Sequence, residues 1–196
     1  MIFKMAALSA LRLLGWTFKN DLPEKITQCV LVAAPHTSNW DALYTKLGLA
    51  VMQIPAKLTI KDSYMRMPFG PFVRAMGGIG IDRSAKVEGE KRPSMVESMA
   101  ALFKTHPELI MLVTPEGTRD LRKQWKTGFY HVAVLAKVPI VLAYVDYRKK
   151  LVGVGKIIHP TGNIQKDMRE IMDFYKNIHG KYPEKFSIDI NYQDEA

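Results

Sequence analysis

Apolar residues fall in short blocks along the chain, and their spacing changes from block to block. From Thr27 to Ala34 they run almost unbroken, as in a strand covered on both faces. The next block switches to helical spacing. Ser38 or Asn39 can cap a helix whose inward stripe is Trp40, Leu43, Tyr44, Leu47 and Val51. A second strand fits "AKLTIK" at 56–61, and "MPFGPFVRAMGG" reads as a turn, a short helix opened by Pro71 and a glycine-rich exit. "IGIDR" at 79–83 predicts a third strand, ending at Arg83.

The remainder keeps the same alternation. Met95, Val96, Met99, Leu102 and Phe103 share one face of a helix between Glu90 and Thr105, and "ELIMLV" is the buried strand after it. "TGFYHVAVLAK" predicts a helix, "PIVLAYVDY" and "LVGVGKII" two strands, and Ile164, Met168, Ile171, Tyr175 and Ile178 the inward face of a last helix. The tail "NYQDEA" is expected to fray or extend an edge. Strands alternating with helices predict an α/β fold with a mostly parallel or mixed central sheet flanked by helices. In such a sheet the crevice at the carboxyl ends of the strands is the default site.

The first twenty-two residues behave differently. Ile2, Phe3, Leu8, Leu11, Leu14 and Phe18 recur at roughly helical spacing among Lys4, Arg12 and Lys19, with no acid before Asp21. This predicts an amphipathic N-terminal segment over 1–22, ahead of a domain over 23–196. Arg12 interrupts the apolar run, which is too short for a spanning helix. Two placements stay open: the helix lies in the headgroup region of an anionic membrane, or it packs on the core. A cleaved signal peptide fits poorly, since no small-residue cleavage site follows.

Length and composition narrow the class. At 196 residues the chain suits one core, and 47% hydrophobic with 24% charged residues is the balance of a folded domain. The formal net charge of +9 favours anionic partners without choosing among them. Cys29 is the one cysteine, so no intrachain disulfide forms, and its place in "CVLVAAP" reads as a small buried thiol. The histidines and the cysteine show no metal-ligand spacing, so no metal is expected.

Three segments place polar residues where a buried strand ends. In "PHTSNWD" His36 lands in the strand-to-helix turn and Asp41 in the first helical turn. There a carboxylate can fold back on the imidazole and leave its other nitrogen to take a proton. An acid in a first turn is also favoured by the helix dipole alone. In "TPEGTRD" Gly117 permits a tight turn, Arg119 can grip an anionic oxygen, and Glu116 can accept from a hydroxyl or hold the arginine. "GGIGIDR" offers Arg83 as a second guanidinium. Each segment alone could be an ordinary turn.

Together, HxxxxD at His36 to Asp41, the glycine-rich segment ending at Arg83, PEGTR at Pro115 to Arg119 and the later "VPIVLAYV" resemble the glycerolipid acyltransferase family. Its best-known members acylate 1-acylglycerol 3-phosphate. The resemblance runs from about Val30 to Asp146 and includes "KTG" at 126–128. It implies transfer of a fatty acyl group from an acyl thioester to a hydroxyl of a glycerolipid or lysophospholipid, in phospholipid biosynthesis. His36 and Asp41 would be the catalytic base and its orienter. Arg83, Glu116, Gly117, Thr118 and Arg119 would hold the acceptor. No cofactor is implied beyond acyl-CoA or acyl carrier protein as co-substrate. The implied setting is cytoplasmic and peripheral, at the anionic inner face of a membrane.

Pro35, Thr114 and Asp120 depart from the family's usual residues, and Asp120 beside Arg119 could partly neutralise a phosphate site. Another lysolipid or an aminolipid acceptor therefore stays open. Ser38 reads as a cap and not as a nucleophile. A noncatalytic basic module for membrane or nucleic acid is the reading from another class. Its nucleic-acid form is not expected, since basic residues are not interleaved with aromatics in any recognised binding motif.

Overall fold

In the computed structural model, which describes residues 2–22, 26–61, 68, 70–75, 77–81 and 92–192, helices flank a mixed sheet. Strands β1 (Thr17–Asn20), β2 (Cys29–Ala33), β3 (Ala56–Lys61), β4 (Gly78–Ile81), β5 (Ile110–Val113), β6 (Ile140–Asp146) and β7 (Leu151–Ile158) form it in the order β1-β7-β6-β2-β5-β3-β4. Helices α1 (Ile2–Leu13), α2 (Asn39–Val51), α3 (Gly70–Ala75), α4 (Met95–Thr105), α5 (Gly128–Ala136) and α6 (Ile164–Tyr175) complete it.

β2 is central and buried along its whole length, paired in parallel with β5 and β6. Its alternate residues feed two layers. Val30 and Val32 join Met111, Leu142, Met168 and Tyr175 on one face, while Cys29, Leu31 and Ala33 join Leu49, Val141 and Val154 on the other. Cys29 is therefore the buried thiol that its apolar run predicts, and desolvation pushes it up to about 12. β6 and β7 are antiparallel, and β1 runs parallel to β7. The edge pair thus opposes the central strands, and the start of β1 lies on the rim where β2 and β6 end.

Two expectations change. The N-terminal helix stops at Leu13, because Gly15 takes φ +72° and turns the chain into β1. Phe18 then belongs to a strand, and Trp16 between helix and strand turns into the core, stacked on Tyr44 at 3.9 Å. The inward stripe of α2 is also rotated from the one expected. Trp40 and Leu43 are exposed, while Asp41, Tyr44, Thr45, Gly48, Leu49 and Val51 are buried. The cause is Gly48, where an added Cβ would lie 2.6 Å from Val152; the helix seats its glycine against β7 and carries Asp41 inward.

The tail is also tied down as far as it is described. Tyr192 is buried in a short 3-10 turn, Ile190–Tyr192, and packs with the main core. Residues 193–196 lie outside the described part of the chain.

Candidate functional site

β2 ends at Ala33, and a cis Ala34–Pro35 bond leads into the turn that carries His36. Ser38 is the N-cap of α2, and Asp41, at the third helical position, closes a capping box. Its carboxylate is only 2% exposed and meets four donors. Oδ2 accepts from the backbone N–H groups of Thr37 (2.5 Å) and Ser38 (2.7 Å), and Oδ1 from the hydroxyls of Ser38 (2.7 Å) and Tyr147 (2.7 Å). His36 Nδ1 stands 3.8 Å from Oδ2, within Coulomb range and beyond hydrogen-bond length. Burial lowers the His36 pKa; Asp41 pulls it back up and Arg119 pushes it down.

The second turn follows β5. Gly117 N–H donates to Thr114 O at 3.1 Å, closing a turn with Pro115 at its second position and Gly117 at φ +65°. Lys126 N–H donates to Pro115 O at 2.9 Å, and the Lys126 side chain lies along Gly117 where a Cβ would otherwise be. This turn buries Glu116, whose Oε1 accepts from His36 N–H at 2.9 Å. Oε2 is buried with no hydrogen-bond partner. Desolvation pushes the Glu116 pKa up to about 7.

Arg119 is exposed, and Nη1 donates to Asn39 Oδ1 at the start of α2. The guanidinium is thus braced by Asn39, while Glu116 bonds the His36 backbone. Asp120 turns to Lys185, 3.3 Å away, so its charge has a partner other than Arg119. Thr118 accepts from Asp120 N–H at 3.3 Å. The expectation for Arg83 lies outside the described residues.

A cavity of about 720 Å³ opens beside the histidine. His36 and Asp41 line it together with Ala33, Leu49, Ile54 and Leu112, between α2 and the sheet. Its walls are mostly apolar, and the carboxylate–imidazole pair is among its few polar groups.

A contribution the sequence reading missed comes from residues 147 and 179–185. Tyr147 reaches Asp41 as described, and Tyr147 N–H donates to His179 O at 2.9 Å. Tyr182 N–H donates to Thr37 Oγ1 at 3.3 Å, and Gly180 is packed so tightly on Pro35 and Thr37 that a Cβ would lie 2.9 Å from Thr37 Cγ2. Lys181 Nζ sits 4.9 Å from the Trp40 ring centre. "HGKY" carries the one local signal, a glycine flanked by residues able to pack or pair.

The family model described as Acyltransferase matches residues 17–145. No curated protein matches the chain by sequence. Among solved structures, the 1-acyl-sn-glycerophosphate (LPA) acyltransferase PlsC from Thermotoga maritima is similar in fold. It superposes with a TM-score of 0.55 at 14% identity, over 88% of this chain and 74% of that one.

Proposed function

The chain belongs to the acyltransferase family, and on that premise we propose that it moves a fatty acyl group from an acyl thioester to a hydroxyl of a glycerolipid or lysophospholipid. The expected acceptor is 1-acylglycerol 3-phosphate, the substrate in the name of the PlsC structure that shares its fold. The observation that carries this reading is a titratable pair, His36 and Asp41, set into the wall of a large apolar cavity. An acyl chain needs such a cavity, and the hydroxyl that attacks its carbonyl needs a base at the wall.

Asp41 faces Nδ1, so Nε2 of His36 is the nitrogen that takes the proton from the acceptor hydroxyl. The hydroxyl oxygen attacks the thioester carbonyl, the carbon–sulfur bond breaks, and the proton passes from the imidazolium to the leaving thiolate. The nearby carboxylate stabilises the imidazolium that forms in between. Burial favours the neutral imidazole at the outset, which is the form that can accept a proton. Arg119, held by Asn39 but open to solvent, suits an anionic oxygen of the acceptor. Acyl-CoA and acyl carrier protein are both anionic donors that a +9 chain attracts.

The lipid acceptor places the reaction at a membrane surface. Among the described residues no helix is long and apolar enough to cross a membrane. Phe3, Met5, Leu13 and Leu14 are exposed around α1, beside Lys4 and Arg12, and Trp40 and Leu43 are exposed on α2. Such a face supports peripheral seating on an anionic leaflet, at the cytoplasmic side.

The test is acyl transfer by the purified protein from both thioester types to 1-acylglycerol 3-phosphate and a panel of lysolipids, read by mass spectrometry. An acylated product from wild type and none from folded His36→Ala is the expected result. Equal product from the variant removes His36 as the base, and no product with any acceptor turns the reading toward a noncatalytic module.

A further inference from the structure

Asp41 is held by its own turn and by one group from outside it. Its two oxygens have different partners: Oδ2 faces His36 and takes the backbone N–H groups of the turn, whereas Oδ1 takes two hydroxyls. One hydroxyl, from Ser38, is three residues away on the same turn. The other comes from Tyr147, 106 residues later, just past the end of β6 and beyond the residues that match the family.

We propose that Tyr147 is a positioning residue for the reaction, fixing the Asp41 carboxylate through Oδ1 so that Oδ2 faces the His36 imidazole. The inference rests on the acyltransferase reading of His36 and Asp41 and adds a third member from another element.

The tyrosine is itself held on several sides. Its ring stands edge-on to Trp16, with centroids 5.0 Å apart, and to Tyr44 at 5.8 Å, while Trp16 and Tyr44 stack on each other. Its backbone N–H is fixed by His179 O. A side chain so confined can deliver its hydroxyl to one place at small entropic cost. Burial first, and the Asp41 bond second, raise its pKa, so the hydroxyl stays protonated and donates throughout the working range of pH. A hydroxyl serving only to satisfy its own burial would not need a carboxylate with three other donors.

The groups that bear on the charge of His36 are Asp41 and Arg119, while the neighbouring Glu116 holds the His36 backbone through Oε1. Tyr147 bonds to Asp41, so a change at Tyr147 reaches the imidazole through that carboxylate. Asp41 raises the His36 pKa; without the Tyr147 hydroxyl Oδ1 keeps only Ser38, and the carboxylate can pivot about its local bonds and weaken that pull.

The experiment compares wild type with Tyr147→Phe, which keeps the ring, by NMR titration of the histidine ring protons, with the His36 signal identified by its loss in His36→Gln. Steady-state kinetics on both substrates accompany it. The His36 midpoint is expected to fall by about half a pH unit. Turnover should drop about tenfold with both KM values within about twofold of wild type. An unmoved His36 midpoint, or a moved midpoint with unchanged turnover, overturns the proposal. If wild type transfers no acyl group, the function reading fails separately and the NMR shift alone decides whether Tyr147 positions the pair.

Discussion

The backbone N–H of His36 donates to Oε1 of Glu116 across 2.9 Å, tying the turn after β2 to the turn after β5, eighty residues on. The bond makes the two turns one unit and places a buried carboxyl against the His36 backbone. Burial of that carboxyl, against the pull of the bond, also gives the protein a pH signature.

Burial lifts the Glu116 carboxyl from its ordinary 4.5 to about 7, so the folded chain keeps a proton that the unfolded chain gives up. Stability from this group therefore falls as pH rises from about 4.5 to about 7, by on the order of 3 kcal/mol. Glu116→Gln cannot ionise and should flatten that part of the curve. Thermal or urea unfolding across the window measures it, and an identical slope in the variant would contradict the raised carboxyl.

His36→Ala should lower turnover by about 10²–10⁴-fold and leave the melting temperature within a few degrees, because the ring lies at the cavity wall and outside the packed core. In wild type the acid limb of kcat/KM should fall below the ordinary imidazole value of 6.5, since burial lowers the pKa. A limb above 6.5 would show that Asp41 outweighs burial.

Arg119→Ala should raise the acceptor KM about tenfold and leave the donor KM unchanged, as expected for loss of a charge-assisted contact to one substrate. Asn39→Ala should do the same more weakly by freeing the guanidinium from its brace. Initial-rate kinetics with each substrate varied in turn distinguish this from a general loss of activity.

Ala50 lines the apolar cavity from α2, and Ala50→Phe adds a phenyl ring to a space of about 720 Å³. Preference should move to shorter acyl chains, with turnover on those retained. Competition among thioesters of graded length reads the shift; an unchanged profile would place the acyl chain elsewhere.

Much of this was legible in the sequence, for a physical reason that differs between elements. β2, β6 and the inward face of α6 are dictated by apolar runs or spacing that few other structures satisfy, and they appear where expected. His36, Asp41 and the PEGTR turn were legible because each follows a buried strand. β1 was not, since "TFKN" is exposed at all four positions and owes its existence to pairing with β7. The stripe of α2 was misread because Gly48, silent in a hydrophobicity pattern, decides which face meets the sheet. Tyr147 looked like the end of a strand; nothing local marks a hydroxyl whose partner lies 106 residues away.

The pairing of β1 with β7 also governs the order of assembly. Thr17 aligns with Leu151, so the edge strand must wait for about 130 further residues, on the order of ten seconds at roughly 5–20 residues per second of synthesis. Trp16 packs on Tyr44 and on Tyr147, which emerges just before β7. On the ribosome its full burial therefore waits until most of the chain has been made, and the beginning of the chain closes against its far end.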